Sequence, residues 1–272
     1  MPAGEGKAWA KGRSAKDDPR IARAAAAHRG MQYVPRVPAE EDRRRTSAPV
    51  DTTWRPTLAY AIGLMATDGC VVDGDHISFP SADRELVELF AKCLGKSNPI
   101  SPFRTDTGGI AYRIQFGDVR FCRWLAGIGI TGRKSLTIGA IGVPDDLMLE
   151  LARGLLDGDG SIINKRARAD TGRRSDYYWE YLQTKFVCGS RSHLAWLRTC
   201  LGSALGIDGL IIKRAARGRR HACYTLRYGK RASHVLLPAL YRDPRAPRLT
   251  RKWLIWQRYL ERHPDVRSAL IE

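Results

Sequence analysis

Apolar residues along this chain recur in two rhythms, one with the period of a helix and one with the period of a strand. From Trp54 onward the pattern predicts a helix over Leu58–Thr67, a turn after Gly69, and a short strand "HISF" at His76–Phe79. Leu86, Leu89, Phe90, Cys93 and Leu94 share one helical face, which predicts an amphipathic helix over Asp83–Leu94. Ile110–Phe116 alternates as a strand, and Phe121–Ile128 reads as a helix stopped by Gly129. The order then recurs. A helix is expected over Leu147–Gly158, strands at Gly160–Asn164 and Tyr181–Cys188, a helix over His193–Leu205, and a strand over His221–Tyr228. Helices over Ser233–Tyr241 and Leu249–Leu260 complete the second pass. Helix, strands, helix, strand, helix, twice over, is the mark of an internal duplication.

Residues 1–50 read differently. Pro19 and Ala24–Ala27 suit a short helix over Asp18–His28, followed by a linker with the charge run Glu40–Arg45. The expected organisation is a basic helical appendage at 1–50, a first half at 51–146 and a second half at 147–272.

The 272 residues are 43% hydrophobic, which excludes wholesale disorder. The longest apolar run, Leu58–Ala66, has nine residues, whereas a membrane span needs about 20. No secretory h-region is present near the N-terminus, so the expectation is a soluble protein, cytoplasmic (prokaryotic, or phage and nucleoid-associated) or organellar, and not secreted. The six cysteines form no C-x-x-C pair, which argues against a zinc ribbon and for reduced thiols. The net charge of +18 changes the picture most, because a chain this basic usually faces a polyanion, nucleic acid first.

Two helices carry the candidate chemistry. The first ends "AIGLMATDG" (Ala61–Gly69) and the second "ARGLLDGDG" (Ala152–Gly160), with Asp68 and Asp159 in register 91 residues apart. Gly63 and Thr67, like Gly154 and Gly158, are one helical turn apart and share a face. A glycine inside a helix costs about 1 kcal/mol relative to alanine. Carrying one at the same place twice points to close backbone approach, with Gly63 and Gly154 at the crossing. Leu64, Met65, Leu155 and Leu156 then face each half's own core. Such a crossing brings the two C-terminal ends, and hence Asp68 and Asp159, together beside exposed carbonyl dipoles. That spot suits a hard divalent cation, Mg²⁺ or Mn²⁺. A basic protein that gathers acid at its pseudo-symmetry axis looks like a metal-dependent nuclease. For either aspartate alone, the plain alternative is a turn after a helix.

On these paired motifs the sequence resembles the two-motif, single-chain LAGLIDADG homing endonucleases over roughly Trp54–Leu260. The resemblance implies an α+β monomer of two pseudo-symmetric αββαββα-like halves, packed through the motif helices. Each half would set an antiparallel sheet in the DNA major groove, with the acidic helix ends over the minor groove. It implies Asp68 and Asp159 as catalytic metal ligands, with the carbonyls of Thr67 and Gly158 joining them. "GITGRKSL" (Gly129–Leu136) and "RLTRKWL" (Arg248–Leu254) end the halves alike, so Lys134 and Lys252 correspond to basic residues of the active-site pocket. Ser81 and Gly189 are the approximate equivalents of a polar residue that relatives carry on a strand facing the pocket. The implied activity is Mg²⁺-dependent double-strand cleavage leaving 3′ overhangs on a long, asymmetric double-stranded target, with Ca²⁺ supporting binding without cleavage. A non-cleaving DNA-binding regulator and an RNA-binding intron maturase remain alternatives on the same fold. The segment "KGRSAKDDPRIARAAAAHRG" weakly resembles the NUMOD-type helical modules of some homing enzymes.

Candidate DNA contacts follow from strand alternation and the basic runs. Arg113 and Gln115 share a face in the first half, with Arg104 on the preceding segment. Ser161–Val235 holds 16 Lys/Arg against 4 Asp/Glu. Its candidates are Lys165, Arg166, Arg168, Lys185, Lys213, Arg214, Arg217, Arg219 and Arg227. The second half is longer between motif acid and lysine by 27 residues, which predicts longer hairpins and an asymmetric target.

Overall fold

A computed structural model describes residues 48–72, 75–132, 134–168, 178–214 and 222–268. The helix expected at 18–28, and the candidates Arg217 and Arg219, lie outside these residues.

Pro56–Thr67 forms α1. Pro56 suits the first turn, where a missing N–H costs nothing. Every residue from Leu58 to Met65 is buried, so the helix presents no solvent face and lies inside the molecule. β1 (Cys70–Val72), β2 (His76–Ser81), α2 (Arg84–Cys93), β3 (Ser101–Arg104), β4 (Ile110–Gly117), α3 (Val119–Gly127) and the short α4 (Lys134–Thr137) follow. α3 begins where it does because the Asp118 carboxylate accepts from the Phe121 N–H at 2.9 Å.

The second half repeats the plan with α5 (Met148–Asp157), β5 (Ser161–Arg168), β6 (Tyr178–Cys188), α6 (Arg191–Leu205), β7 (Leu210–Arg214) and β8 (Cys223–Tyr228). α7 (Lys230–Leu240), α8 (Thr250–Arg262) and α9 (Pro264–Ser268) close it. Ser190 caps α6, and Gly206 ends it at φ +65°, a left-handed conformation that favours glycine.

Both sheets are antiparallel, with strand orders β1-β2-β4-β3 and β5-β6-β8-β7. The same order appears twice, so the duplication seen in the motifs extends to topology. The fold is α+β, with two like halves packed through α1 and α5. Three strands lacked a local signal in the sequence. β1 has three residues, β3 contains Pro102, and β7 is five residues ending in two cations. They are strands because β2, β4 and β8 supply the missing hydrogen bonds.

In each sheet the inward residues alternate. Ile77, Phe79, Ile114 and Phe116 pack under α2 and α3, with the Phe79 and Phe90 rings stacked 4.2 Å apart. Leu182, Phe186, Leu226 and Tyr228 do the same in the second half. One continuous core runs through both halves and includes α1 and α5. No helix among the described residues is long and apolar enough to cross a membrane.

The α1–α5 crossing is backbone on backbone. A Cβ on Gly63 would sit 2.3 Å from the Leu151 carbonyl oxygen, and one on Gly154 would sit 2.2 Å from that of Tyr60. One turn on, a Cβ at Gly158 would sit 2.0 Å from Thr67 Oγ1. No side chain larger than hydrogen fits at Gly63 or Gly154 without separating the helices.

Candidate active site

Both motif helices end at the same level, and each end delivers one aspartate. Asp68 is the C-cap of α1, and Asp159 follows Gly158, the C-cap of α5. Asp68 is half-buried, while Asp159 opens to solvent on one side. Burial, then the negative charge of Asp159, push the Asp68 carboxyl up to about 6, against the pull of Lys134 and Lys252. Asp159 is raised as well, by burial, with Lys252 and Lys134 opposing. Among the described residues, no hydrogen bond reaches either carboxylate.

Lys134 and Lys252 are almost fully buried, at 6% and 3% exposure. Lys134 Nζ donates to the carbonyls of Thr67 (3.2 Å) and Gly69. Lys252 Nζ donates to those of Gly158 (3.0 Å) and Gly160 (2.7 Å), the equivalents 91 positions on, and also to Leu156 and Asp157 at 2.7 Å. Each ammonium therefore closes the C-terminus of its own motif helix, where carbonyls lack partners and the helix dipole is negative. Neither reaches a carboxylate oxygen of Asp68 or Asp159 within ion-pair distance among the described residues. Burial lowers the pKa of both lysines, that of Lys252 to about 8. The main-chain oxygens of Thr67 and Gly158 are thus already engaged, each keeping one lone pair.

A divalent ion fits this donor set. Two carboxylates, both raised by burial and one of them by the charge of the other, accept no hydrogen bonds among the described residues and offer only hard oxygen. Among the described residues, no three His, Cys, Asp or Glu side chains form a metal-holding group. An ion would therefore complete its shell with carbonyl, water or phosphate oxygen.

Two functional-looking residues escaped sequence reasoning. Asp157 is fully buried and accepts from Tyr60 OH (2.9 Å) on α1 and from the Leu249 N–H (2.8 Å) ahead of α8. Burial holds its carboxyl up at about 6, against those hydrogen bonds. Arg153, also buried, donates to the carbonyls of Pro247 (2.9 Å) and Leu240 (2.8 Å) and lies over the Tyr60 ring. The available signal was an arginine and a second acid inside an otherwise apolar motif helix. The first motif has Ile62 and Ala66 at these positions.

Each half also grips the lysine segment of the other. The Asp83 carboxylate takes a forked Arg251 guanidinium at 2.7 to 3.1 Å, and Glu85 accepts from the Thr250 N–H at 3.1 Å. His193 Nδ1 lies 2.7 Å from the Gly139 carbonyl oxygen, and Ser192 Oγ donates to that of Ile138. At these corners Ser81 corresponds to Cys188 rather than to Gly189. Ser81 Oγ accepts from the Asp83 N–H (3.1 Å), and Cys188 Sγ from the Ser190 N–H (3.4 Å).

Strand register sorts the remaining candidates. Directly paired residues share a face. Arg113 and Gln115 pair with Pro80 and Ser78 on the face away from the helices. Lys185 pairs with Ser161 and Arg227, Lys165 with Tyr181, and Arg214 with Cys223, so Lys165, Lys185, Arg214 and Arg227 lie together on the corresponding face. Burial, then the charges of Arg214, Arg227 and Lys165, lower the Lys185 pKa. Arg104 pairs with Ile110 and so belongs to the opposite face from Arg113. Arg166, Arg168 and Lys213 pair with Glu180, Tyr178 and Tyr224, on the helix side. A basic run along a strand cannot stay on one face, because the pleat turns successive residues over.

No protein-family model matches the sequence, and neither does any curated protein. Among solved structures the chain is similar to the I-LtrWI LAGLIDADG homing endonuclease bound to target DNA. The TM-score is 0.50 at 9% identity, covering 79% of this chain and 89% of that one. It is also similar to I-DmoI in complex with DNA and Ca (TM-score 0.48, 14% identity, 74% of this chain and 97% of that one). A further similar structure is full-length DUF199/WhiA from Thermatoga maritima (TM-score 0.45, 15% identity, 79% and 70%). At these identities the likeness is one of fold, and the fold of this chain is that of the LAGLIDADG homing endonucleases.

Proposed function

We propose that the protein is a site-specific, double-strand DNA endonuclease that depends on a divalent cation. The carrying observation is the pair Asp68 and Asp159, delivered to one spot by a backbone-to-backbone helix crossing in a chain of net charge +18. Two like sheets with cations on their open faces would follow the major groove on either side. The carboxylate pair would then stand over the minor groove between them.

In this reading Asp68 and Asp159 hold Mg²⁺, with the free lone pairs of the Thr67 and Gly158 carbonyls available to it. The bound ion would supply Lewis acidity at the scissile phosphate and favour a nucleophilic water. Lys134 and Lys252 act from behind. They fix the two helix ends and set positive charge beneath the aspartates, so that the acids stay ionised despite partial burial. Asp83 and His193 hold the segments that bear those lysines. One strand would be cut at each aspartate, leaving 3′ overhangs, and unequal halves would read an asymmetric target as a monomer.

The test is cleavage of a randomised duplex pool, followed by the selected site, in Mg²⁺. Wild type should cut both strands. Asp68→Asn and Asp159→Asn should each reduce cutting by at least about 10³-fold while retaining binding in Ca²⁺. Normal cutting by both variants would end the assignment. A binding-only protein is the second reading, favoured by the engagement of both ammonium groups with main-chain carbonyls. Specific binding without cleavage in Mg²⁺ or Mn²⁺ would select it.

A further inference from the structure

The register leaves a second group of cations on the far side of the second sheet. The Arg166 guanidinium lies 4.5 Å from the centroid of the Tyr178 ring. Lys230 starts α7, whose first turn no side chain caps. Between them opens a cleft of about 620 Å³, floored by Glu180, Arg262 and His263 and bordered by Trp179. The floor is fixed. Glu180 accepts from Asn164 Nδ2 (2.8 Å) and Arg262 Nη2 (2.9 Å), and His263 Nε2 lies 2.5 Å from its other oxygen. The His263 ring stacks on Tyr259 at 4.2 Å.

These bonds engage Glu180, the one acid that lines the cleft among the described residues. Neither Arg166 nor Lys230 has an acidic partner among the described residues. Tyr178 nevertheless remains 49% exposed, whereas the next residue, Trp179, turns its ring to Tyr181 on the opposite face of the sheet. A large exposed ring beside cations that lack an acidic partner among the described residues, above a fixed floor, matches a ligand that alternates flat apolar groups with negative charge. A duplex hides its bases in the stack, whereas a single strand presents them. The cleft also faces away from Lys185 and Arg227.

We propose that this cleft binds single-stranded nucleic acid, with a base stacked at Tyr178 and phosphates at Arg166 and Lys230, apart from the duplex-facing surface. The inference does not require cleavage.

The experiment is fluorescence anisotropy on the full chain, with labelled oligouridylate and oligothymidylate of about 12 nucleotides and excess unlabelled duplex present. Wild type should bind the single strand under these conditions, and the stronger of the two arms identifies RNA or DNA. Tyr178→Ala and the double variant Arg166→Glu/Lys230→Glu should each weaken single-strand binding about tenfold and leave duplex affinity within about twofold. Tyr178→Phe should restore it, since the ring and not the hydroxyl is used. Lys185→Glu should do the reverse, weakening duplex binding alone. The proposal fails if duplex displaces the single strand completely, if the cleft variants weaken both ligands alike, or if Tyr178→Phe is as weak as Tyr178→Ala. It also fails if polyglutamate competes as well as the oligonucleotide, because charge alone would then account for binding.

Discussion

Lys252 brings three N–H donors to four carbonyls, none farther than 3.0 Å, at the end of α5. Its methylene stem packs in the core while its head closes the helix. Replacing it with methionine keeps the stem and strands the carbonyls of Leu156, Asp157, Gly158 and Gly160. Each buried polar group left without a partner costs about 1–3 kcal/mol. Lys252→Met should therefore lose about 3 kcal/mol of unfolding free energy, read by urea denaturation. Lys134→Met, with two acceptors, should lose about half as much. If instead both variants keep full stability and lose only cleavage, the lysines work on the substrate and not on the helix ends.

At the scale of elements, the α1–α5 crossing is the joint on which the site depends. Gly154→Ala would drive a methyl group to within 2.2 Å of the Tyr60 carbonyl oxygen. The helices must part, which separates Asp68 from Asp159. The variant should lose more than about 3 kcal/mol and all cleavage, by thermal unfolding and nicking assay. Gly127→Ala, whose added carbon would meet nothing within 4 Å at the end of α3, should stay within about 1 kcal/mol of wild type. A second joint ties the β5–β6 hairpin to α8 through Glu180. Burial raises its pKa, but hydrogen bonds from His263, Asn164 and Arg262 outweigh this and bring it down to about 2 from 4.5. A carboxylate whose pKa is lower folded than unfolded adds stability above the unfolded value. That stability is lost as pH falls through the folded one. Glu180→Gln should thus cost about 2 kcal/mol at pH 7, and the gap to wild type should close between about pH 4.5 and 2. Chemical denaturation across that range measures it.

For the whole molecule, the charge distribution decides what the protein meets. Lys165, Lys185, Arg214 and Arg227 share a sheet face, and the lowered pKa of Lys185 records burial together with their mutual repulsion. A polyanion relieves that repulsion by displacing its own counterions. The logarithm of duplex affinity should fall linearly with the logarithm of salt, and Lys185→Ala or Arg227→Ala should each flatten the slope by about 0.9. Lys213→Ala, on the opposite face, should leave the slope unchanged. Titrations at several salt concentrations test both statements.

The placement of the two motif acids at matching helix ends was legible because each motif is contiguous. Gly63 to Asp68 and Gly154 to Asp159 each lie within two helical turns, and helical geometry alone relates small face to terminal acid. The duplication was legible for the same reason, since like patterns predict like elements. The face of a strand was not. Arg166 and Lys213 sit beside strong candidates in sequence, and Arg104 lies on the strand that pairs with that of Arg113, but register is set by β4, β6 and β8, and a shift of one residue exchanges the two faces. The lysines stood out as a repeated pair, yet their partners lie 65 to 96 residues away. By itself the sequence determined two copies of one unit, a glycine-bearing seam and an excess of positive charge, because periodicity, residue size and charge belong to the chain before it folds. Tertiary structure alone decided which carbonyls the ammonium groups close, which cations share a surface, and that Asp157 and Arg153 are buried between the halves. Those outcomes depend on distances between segments far apart in the chain, which packing of the common core sets.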